Sequence, residues 1–181
     1  MQQEITGPDP IEITLTDPQI LYGLQMGKER NDRAVAAGKD PGTVRSGWSW
    51  EQTHQIGCLG ELAVMTAVHG EPQELTIDTY KTAHDVSGCI EVRTRTKHDW
   101  DLKVTRRDDP DQAFVLVTCT TTPDNWIPPR EFTVVGWMNG WQAQDKRYTK
   151  DYGNYGSPAY FVPQSDLHPM SELELCDEDD E

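Results

Sequence analysis

Residues 85–95, Asp-Val-Ser-Gly-Cys-Ile-Glu-Val-Arg-Thr-Arg, place two carboxylates and a cation within one short stretch. Val86-Ser87-Gly88 is turn-like, with Gly88 free to take a positive φ. From Cys89 the residues alternate as a strand does, with Ile90, Val92 and Thr94 on one face and Glu91, Arg93 and Arg95 on the other. The stretch therefore reads as a β-hairpin with Asp85 at its entry. Carboxylates that converge beside a cation at one end of a sheet suit a divalent metal held next to a phosphate.

A second candidate lies upstream. A helix expected over about Glu51–His69 carries Ile56, Leu59, Ala63, Val64 and Ala67 on a broad apolar face, and Gly70-Glu71-Pro72 ends it. Gly57 and Gly60 each cost about 1 kcal/mol against Ala inside a helix, so close approach to a neighbouring element is the expected return. Glu61 adjoins them and can point toward whatever packs there. Downstream, Arg93, Arg95, Lys97, Lys103, Arg106 and Arg107 form a basic stripe interrupted only by Asp99 and Asp101.

The remaining elements position these residues. Residues 1–10 read as a loose arm, and Ile11, Ile13 and Leu15 as a short strand. Thr16-Asp17-Pro18 starts a helix to about Ala37. Ile20, Leu21, Leu24 and Val35 are expected on its apolar side, with Lys28, Glu29, Arg30, Asp32 and Arg33 mostly solvated. Trp48 and Trp50 are expected as packing anchors. Glu74–Tyr80 reads as a strand, Leu102–Thr105 as a continuation of the sheet, and 106–111 as a turn. Ala113–Cys119 is continuously apolar and reads as a central strand covered on both faces. Phe132–Trp137 is a further strand, and Met138–Trp141 turns the chain. The tyrosine-rich segment 144–160 reads as a long loop, its tyrosines serving to pin it.

The 181 residues suffice for one domain with a proper core. No run reaches the roughly 18 to 20 apolar residues of a membrane span. Met1-Gln2-Gln3-Glu4 lacks the basic and apolar regions of a signal peptide, so a soluble protein that stays in the compartment where it is made, the cytoplasm, is expected. Cys58, Cys89, Cys119 and Cys176 form no Cys-x-x-Cys pair, which argues against a zinc ribbon. The first three are expected as buried, reduced thiols. His54 and Cys58, four apart, form a minor candidate metal pair. The net charge of −15 argues against a general nucleic-acid coat protein. Seven of the acids lie within 171–181, expected as a disordered acidic tail on a domain over 1–170 with an N-terminal helical extension.

The order of these features, a helix with Gly57-Cys58-Leu59-Gly60-Glu61, a hairpin entered at Asp85, a strand with Glu91-Val92-Arg93, then a buried strand, resembles the PD-(D/E)XK nuclease superfamily, and within it small phage-encoded nuclease-like proteins. The Val135-Gly136-Trp137 strand also resembles that group, and the likeness spans residues 48–140. It implies an α/β (α+β) restriction-endonuclease-like core with a central mixed β-sheet flanked by helices. It further implies Mg²⁺- or Mn²⁺-dependent hydrolysis of DNA by a metal-activated water, in the cytoplasm of a phage-infected or bacterial host. Asp85 and Glu91, with the Val92 carbonyl, would hold the metal; Glu61 would hold a metal-bound water or a second ion. Arg95, Lys97, Arg106 and Arg107 would track the DNA backbone. Two positions depart from the pattern. His84 replaces the leading Pro, and Arg93 stands where the family has a lysine. Arginine keeps the charge and grips phosphate bidentately but does not readily give up a proton, so charge stabilisation is expected of it rather than base catalysis.

The same residues admit plainer readings. Glu91 and Arg93 fit a same-face surface ion pair, and Asp85 fits an Asx residue opening a turn. An inactive nuclease-like module that binds nucleic acid or a protein partner is the alternative function. An acidic inhibitor that mimics DNA ranks after it.

Overall fold

The computed structural model describes residues 8–39, 47–76, 85–86, 88–150 and 159–175. Strand β1 (Ile11–Thr14) leads into helix α1 (Asp17–Ala36), capped by Thr16 in a reciprocal box with Gln19 and primed by Pro18. Helix α2 (Trp50–His69) has the same start, with Ser49 and Gln52 as the box, and it stops at Gly70 with φ +79°. Then follow β2 (Ile90–Arg95), β3 (Leu102–Val104), β4 (Ala113–Thr118), β5 (Glu131–Asn139), the short α3 (Gly140–Ala143), β6 (Thr149–Lys150) and β7 (Ala159–Val162).

Four strands form a mixed sheet in the order β1-β5-β4-β2, with β2 and β4 parallel and the other pairs antiparallel. β3 does not continue this sheet as its sequence led us to expect. It joins β7 and β6 in a second, antiparallel sheet. The parallel β2–β4 pair needs a crossover, and here β3 and its turns supply it instead of a helix.

Three layers result. The helices cover one face of the mixed sheet, where Leu59, Leu62, Ala63, Ile90, Val92, Val115, Val117, Phe132 and Val134 share a core. On the other face Phe114, Leu116, Val135 and Met138 meet Leu102, Val104, Tyr148 and Val162 of the second sheet and its surroundings. β4 lies between both cores, which accounts for its unbroken apolar run. The Tyr148 hydroxyl donates to Asp166 at 2.8 Å, so this tyrosine does pin its segment; residues 151–158 lie outside the described ones.

Helix α1 corrects the sequence reading. Leu21 and Val35, assigned to its apolar side, are exposed, and Arg30, assigned to solvent, is buried. The face that packs on α2 is a stripe of Ile20, Gly23, Met26, Gly27, Arg30 and Ala34. A Cβ on Gly23 would stand 2.7 Å from Leu59, and one on Gly27 would stand 2.5 Å from the Gln55 backbone. The two helices touch through glycines, so the apolar residues at other phases are left outside.

The glycines of α2 divide in the same test. A Cβ on Gly60 would meet Thr94 of β2 at 2.0 Å from Oγ1 and 3.0 Å from Cβ, whereas one on Gly57 meets nothing within 4 Å. Gly60→Ala is expected to cost about 1–3 kcal/mol from overpacking. Gly57→Ala is expected to gain up to about 1 kcal/mol of helix propensity. Urea denaturation of the two variants checks this opposite pair of signs.

Two further expectations change. Ser171 and Glu172 complete a 3-10 turn and Leu173 packs against the core, so ordered structure runs past residue 170 into the acidic segment; residues 176–181 are not among the described ones. Glu74–Thr76 takes no strand conformation, and the rest of the strand expected over Glu74–Tyr80 also falls outside the described residues.

Candidate functional site

The described residues of 85–95, all but Ser87, form the expected tight reversal. Val86 and Ile90 exchange main-chain hydrogen bonds at 3.1 Å, and Gly88 has φ +67°. Ile90 and Val92 are buried toward α2, while Glu91 and Arg93 lie on the opposite face, in register with Phe114 and Leu116 of β4. Asp85 reaches forward over the turn, and its Oδ2 accepts from the Val92 amide at 2.8 Å. The two acids and the Val92 peptide are thus brought to one end of β2.

Glu61 is 5% exposed, and both of its carboxylate oxygens are bound by Arg30, at 2.6 Å and 2.8 Å. Arg30 also donates twice to the Thr76 carbonyl, at 2.6 Å from Nη2 and 3.0 Å from Nε. This fork ties α1, α2 and the chain after α2 together. Burial pushes the Glu61 carboxyl up to about 7 against the hydrogen bonds from Arg30, and the charges of Asp85 and Glu91 push it in the same direction as burial. Burial also works against the Arg30 charge, but the hydrogen bonds and charge of Glu61 overcome it, and the net shift is upward. Arg30 was missed in the sequence as a site residue. Its signal is there, since it follows Gly23 and Gly27 on the i, i+4, i+7 face that packs on α2.

Arg93 is engaged within the fold. Its Nη2 lies 3.1 Å from Asp108 Oδ1 and its Nη1 lies 3.8 Å from Glu91 Oε2. The guanidinium also sits 5.0 Å from the Phe114 ring centroid. All three partners were visible as residue types, but Asp108 lies fifteen positions away in the turn after β3, so only the tertiary fold pairs it with Arg93. The Asp108 carboxylate is itself fixed by the Thr105 amide at 2.7 Å.

The basic stripe separates into two groups. Arg93, Arg95 and Lys103 line a cleft of about 710 Å³ between the N-terminal half of α2, β2 and β3. Lys97 stands beside it with its Nζ 5.2 Å from the Trp100 ring, over which the Arg95 guanidinium also lies at 4.5 Å. Arg106 and Arg107 are exposed in the turn 105–108 and do not line the cleft. Trp48, expected as a packing anchor, both meets Trp126 edge-on at 5.5 Å and forms part of the cleft wall.

The donor chemistry can be set against a divalent metal. Asp85, Glu91 and the Val92 carbonyl offer hard oxygens, and Mg²⁺ is held by as few as one or two carboxylates with waters and substrate phosphate completing its shell. A larger protein donor set does not assemble: among the described residues no group of three or more His, Cys, Asp and Glu is arranged to hold a metal. Glu61 is committed to Arg30. The His54–Cys58 pair is a poor donor set, because burial pushes the Cys58 thiol up to about 12, and the Glu61 charge adds to this. Cys58 and Cys119 are buried and free, but Cys89 is disulfide-bonded, against the expectation of reduced thiols.

No helix among the described residues is long and apolar enough to cross a membrane. Comparison of the chain with family models, with curated proteins and with solved structures finds no match in any of the three.

Proposed function

We propose that this protein is a restriction-endonuclease-like hydrolase of DNA phosphodiesters that works with Mg²⁺ or Mn²⁺. The observation that carries this reading is the placement of Asp85 and Glu91 at the start of a strand whose next residues, Arg93 and Arg95, line a basic cleft. Asp85, Glu91 and the Val92 carbonyl are the proposed donors. The metal, when bound, acidifies a water and neutralises charge on the phosphate.

The chain's own residues have distinct tasks in this scheme. Arg93 remains cationic at any physiological pH, so its contribution is to hold phosphate charge. To do so it exchanges its ion pair with Asp108 for one with a phosphate oxygen. Lys97, Arg106 and Arg107 attract the backbone from outside the cleft without reading sequence. Glu61, with both oxygens bound to Arg30, is assigned a supporting task rather than a ligand role: through Arg30 it ties α2 to α1 and to the chain at Thr76.

The alternative is an inactive module that binds nucleic acid through the same cleft, and the ion pairs that occupy Arg93 favour it. Incubation with labelled DNA and Mg²⁺ or Mn²⁺ separates the two. Cleavage by the wild type that is lost in Asp85→Ala is expected; wild type and variant equally inert across single- and double-stranded substrates would sink the catalytic reading.

Metal binding itself has an independent signature. A ligand that binds only the folded state at about a hundred times its Kd adds roughly 2.7 kcal/mol of stability. Thermal unfolding is therefore expected to shift upward with Mn²⁺ in the wild type, and this shift is expected to vanish in Asp85→Asn.

A further inference from the structure

We propose that the cleft along β2 is built for single-stranded nucleic acid and holds it by base stacking as well as by charge. The inference rests on the reading of the site as one that acts on nucleic acid, and it names the form of the substrate.

Three observations on different elements carry it. First, among the described residues the charge lining the cleft has one sign with a single exception: Arg93, Arg95 and Lys103 face it, against Asp108. In a chain of net charge −15 this is a local inversion, and it selects an anionic ligand. Second, the walls carry aromatic surface. Trp48 lies on the α2 side and Trp100 on the β3 side, both only half-buried, and the Arg95 guanidinium lies 4.5 Å over the Trp100 ring, so a cation and an aromatic ring meet on that wall. Rings and guanidinium planes of this kind take unstacked bases, which a closed duplex does not offer. Third, α2 leaves room. Gly57 lines the cleft and a Cβ there would meet no atom within 4 Å, although a glycine inside this helix costs stability. The Gly60 position one turn-face away is filled by Thr94, so the helix comes close to β2 at one glycine and stands off at the other.

An extended peptide added to β2 is the competing occupant, since among the described residues β2 pairs in its sheet with β4 alone. Strand addition draws on main-chain groups and leaves the cations and the two indoles without a task. The cleft favours the nucleic acid on that ground.

The test is fluorescence anisotropy with a labelled oligothymidylate of about a dozen nucleotides, and with a duplex of the same length, both without divalent metal so that binding is read without cleavage. We expect the single strand to bind at least about tenfold more tightly than the duplex. Trp100→Ala and Gly57→Leu are each expected to weaken the single strand by roughly ten- to a hundredfold, with unchanged circular dichroism. Lys103→Ala, at an exposed strand position, is expected to weaken it and to flatten its salt dependence. Equal or tighter binding of the duplex overturns the inference, as does single-strand affinity indifferent to Trp100→Ala and Gly57→Leu. Displacement by an oligoglutamate at concentrations equal to the oligonucleotide also overturns it, because charge alone would then be read. Should Trp100→Ala unfold, Gly57→Leu and Lys103→Ala decide the matter. Metal-dependent cleavage of a duplex without single-strand preference would defeat this inference and leave the proposed function standing. Single-strand binding without cleavage would do the reverse.

Discussion

Arg30→Met is expected to lower the stability of the fold by about 3–5 kcal/mol. The substitution leaves the Glu61 carboxylate, 5% exposed, without the two hydrogen bonds that satisfy it, and it strips the Thr76 carbonyl of two donors. For a domain whose total stability is of order 5–15 kcal/mol, this loss removes a large fraction of it. The double variant Arg30→Met/Glu61→Leu is expected to recover most of the loss, since a buried ion pair often exchanges for apolar side chains at little net cost. Urea denaturation of wild type, single and double variants measures all three. A loss under about 1 kcal/mol in the single variant would show that the pair does not hold the helices in place.

The same carboxyl carries a pH dependence. Glu61 in the fold titrates near 7, above its ordinary value near 4.5, because burial and the charges of Asp85 and Glu91 outweigh Arg30. The folded state then keeps its proton to higher pH than the unfolded chain. The stability from this group is complete below about 4.5 and is lost as pH rises through about 7. The stability difference between wild type and Glu61→Gln is therefore expected to shift against the wild type across that window.

The second large effect belongs to Asp85. Under the proposed hydrolysis, Asp85→Ala is expected to reduce the rate of DNA cleavage by about a hundred- to a thousandfold, corresponding to the several kcal/mol that a bound metal contributes to stabilising developing charge. The folding cost is expected to be small by comparison. Asp85 is partly exposed, and its hydrogen bond from the Val92 amide closes a local turn, worth about 1 kcal/mol. The ratio of these two effects is the diagnostic. A variant that loses cleavage while retaining its urea midpoint places Asp85 in the chemistry. A variant that loses both in proportion assigns it to the turn.

Arg93 shows how much of the site was readable in one dimension. Its alternation with Glu91 on one face of β2, and the reversal at Gly88, follow from period two and from a glycine where φ is positive, both local rules. The pairing with Asp108 does not, because it depends on the crossover through β3. Glu61 is a similar case. The neighbouring glycines announced that its helix would approach another element, and Gly60 does approach Thr94. The partner that takes its oxygens comes from a different helix thirty-one residues earlier. Leu21 and Val35 misled because a hydrophobic pattern assumes that large apolar side chains mark the contact face; in α1 the closest approaches to α2 are at Gly23 and Gly27, which carry no hydrophobic signal and set the phase of the buried stripe.

What the amino-acid order determined by itself is therefore local. It includes both helices with their caps, the central β4 with its unbroken apolar run, the turn at 85–88 and the one-sided placement of Glu91, Arg93 and Arg95. Each of these depends on neighbours within a few residues or on a repeat of fixed period. The tertiary structure decided the rest. It placed β3 in a second sheet and divided the basic stripe between cleft and turn. It also buried Arg30 against Glu61 and set Trp48 and Trp100 on the walls of one cleft. These outcomes depend on which surfaces meet after the chain has crossed over, and no short window of sequence contains both partners of such a contact.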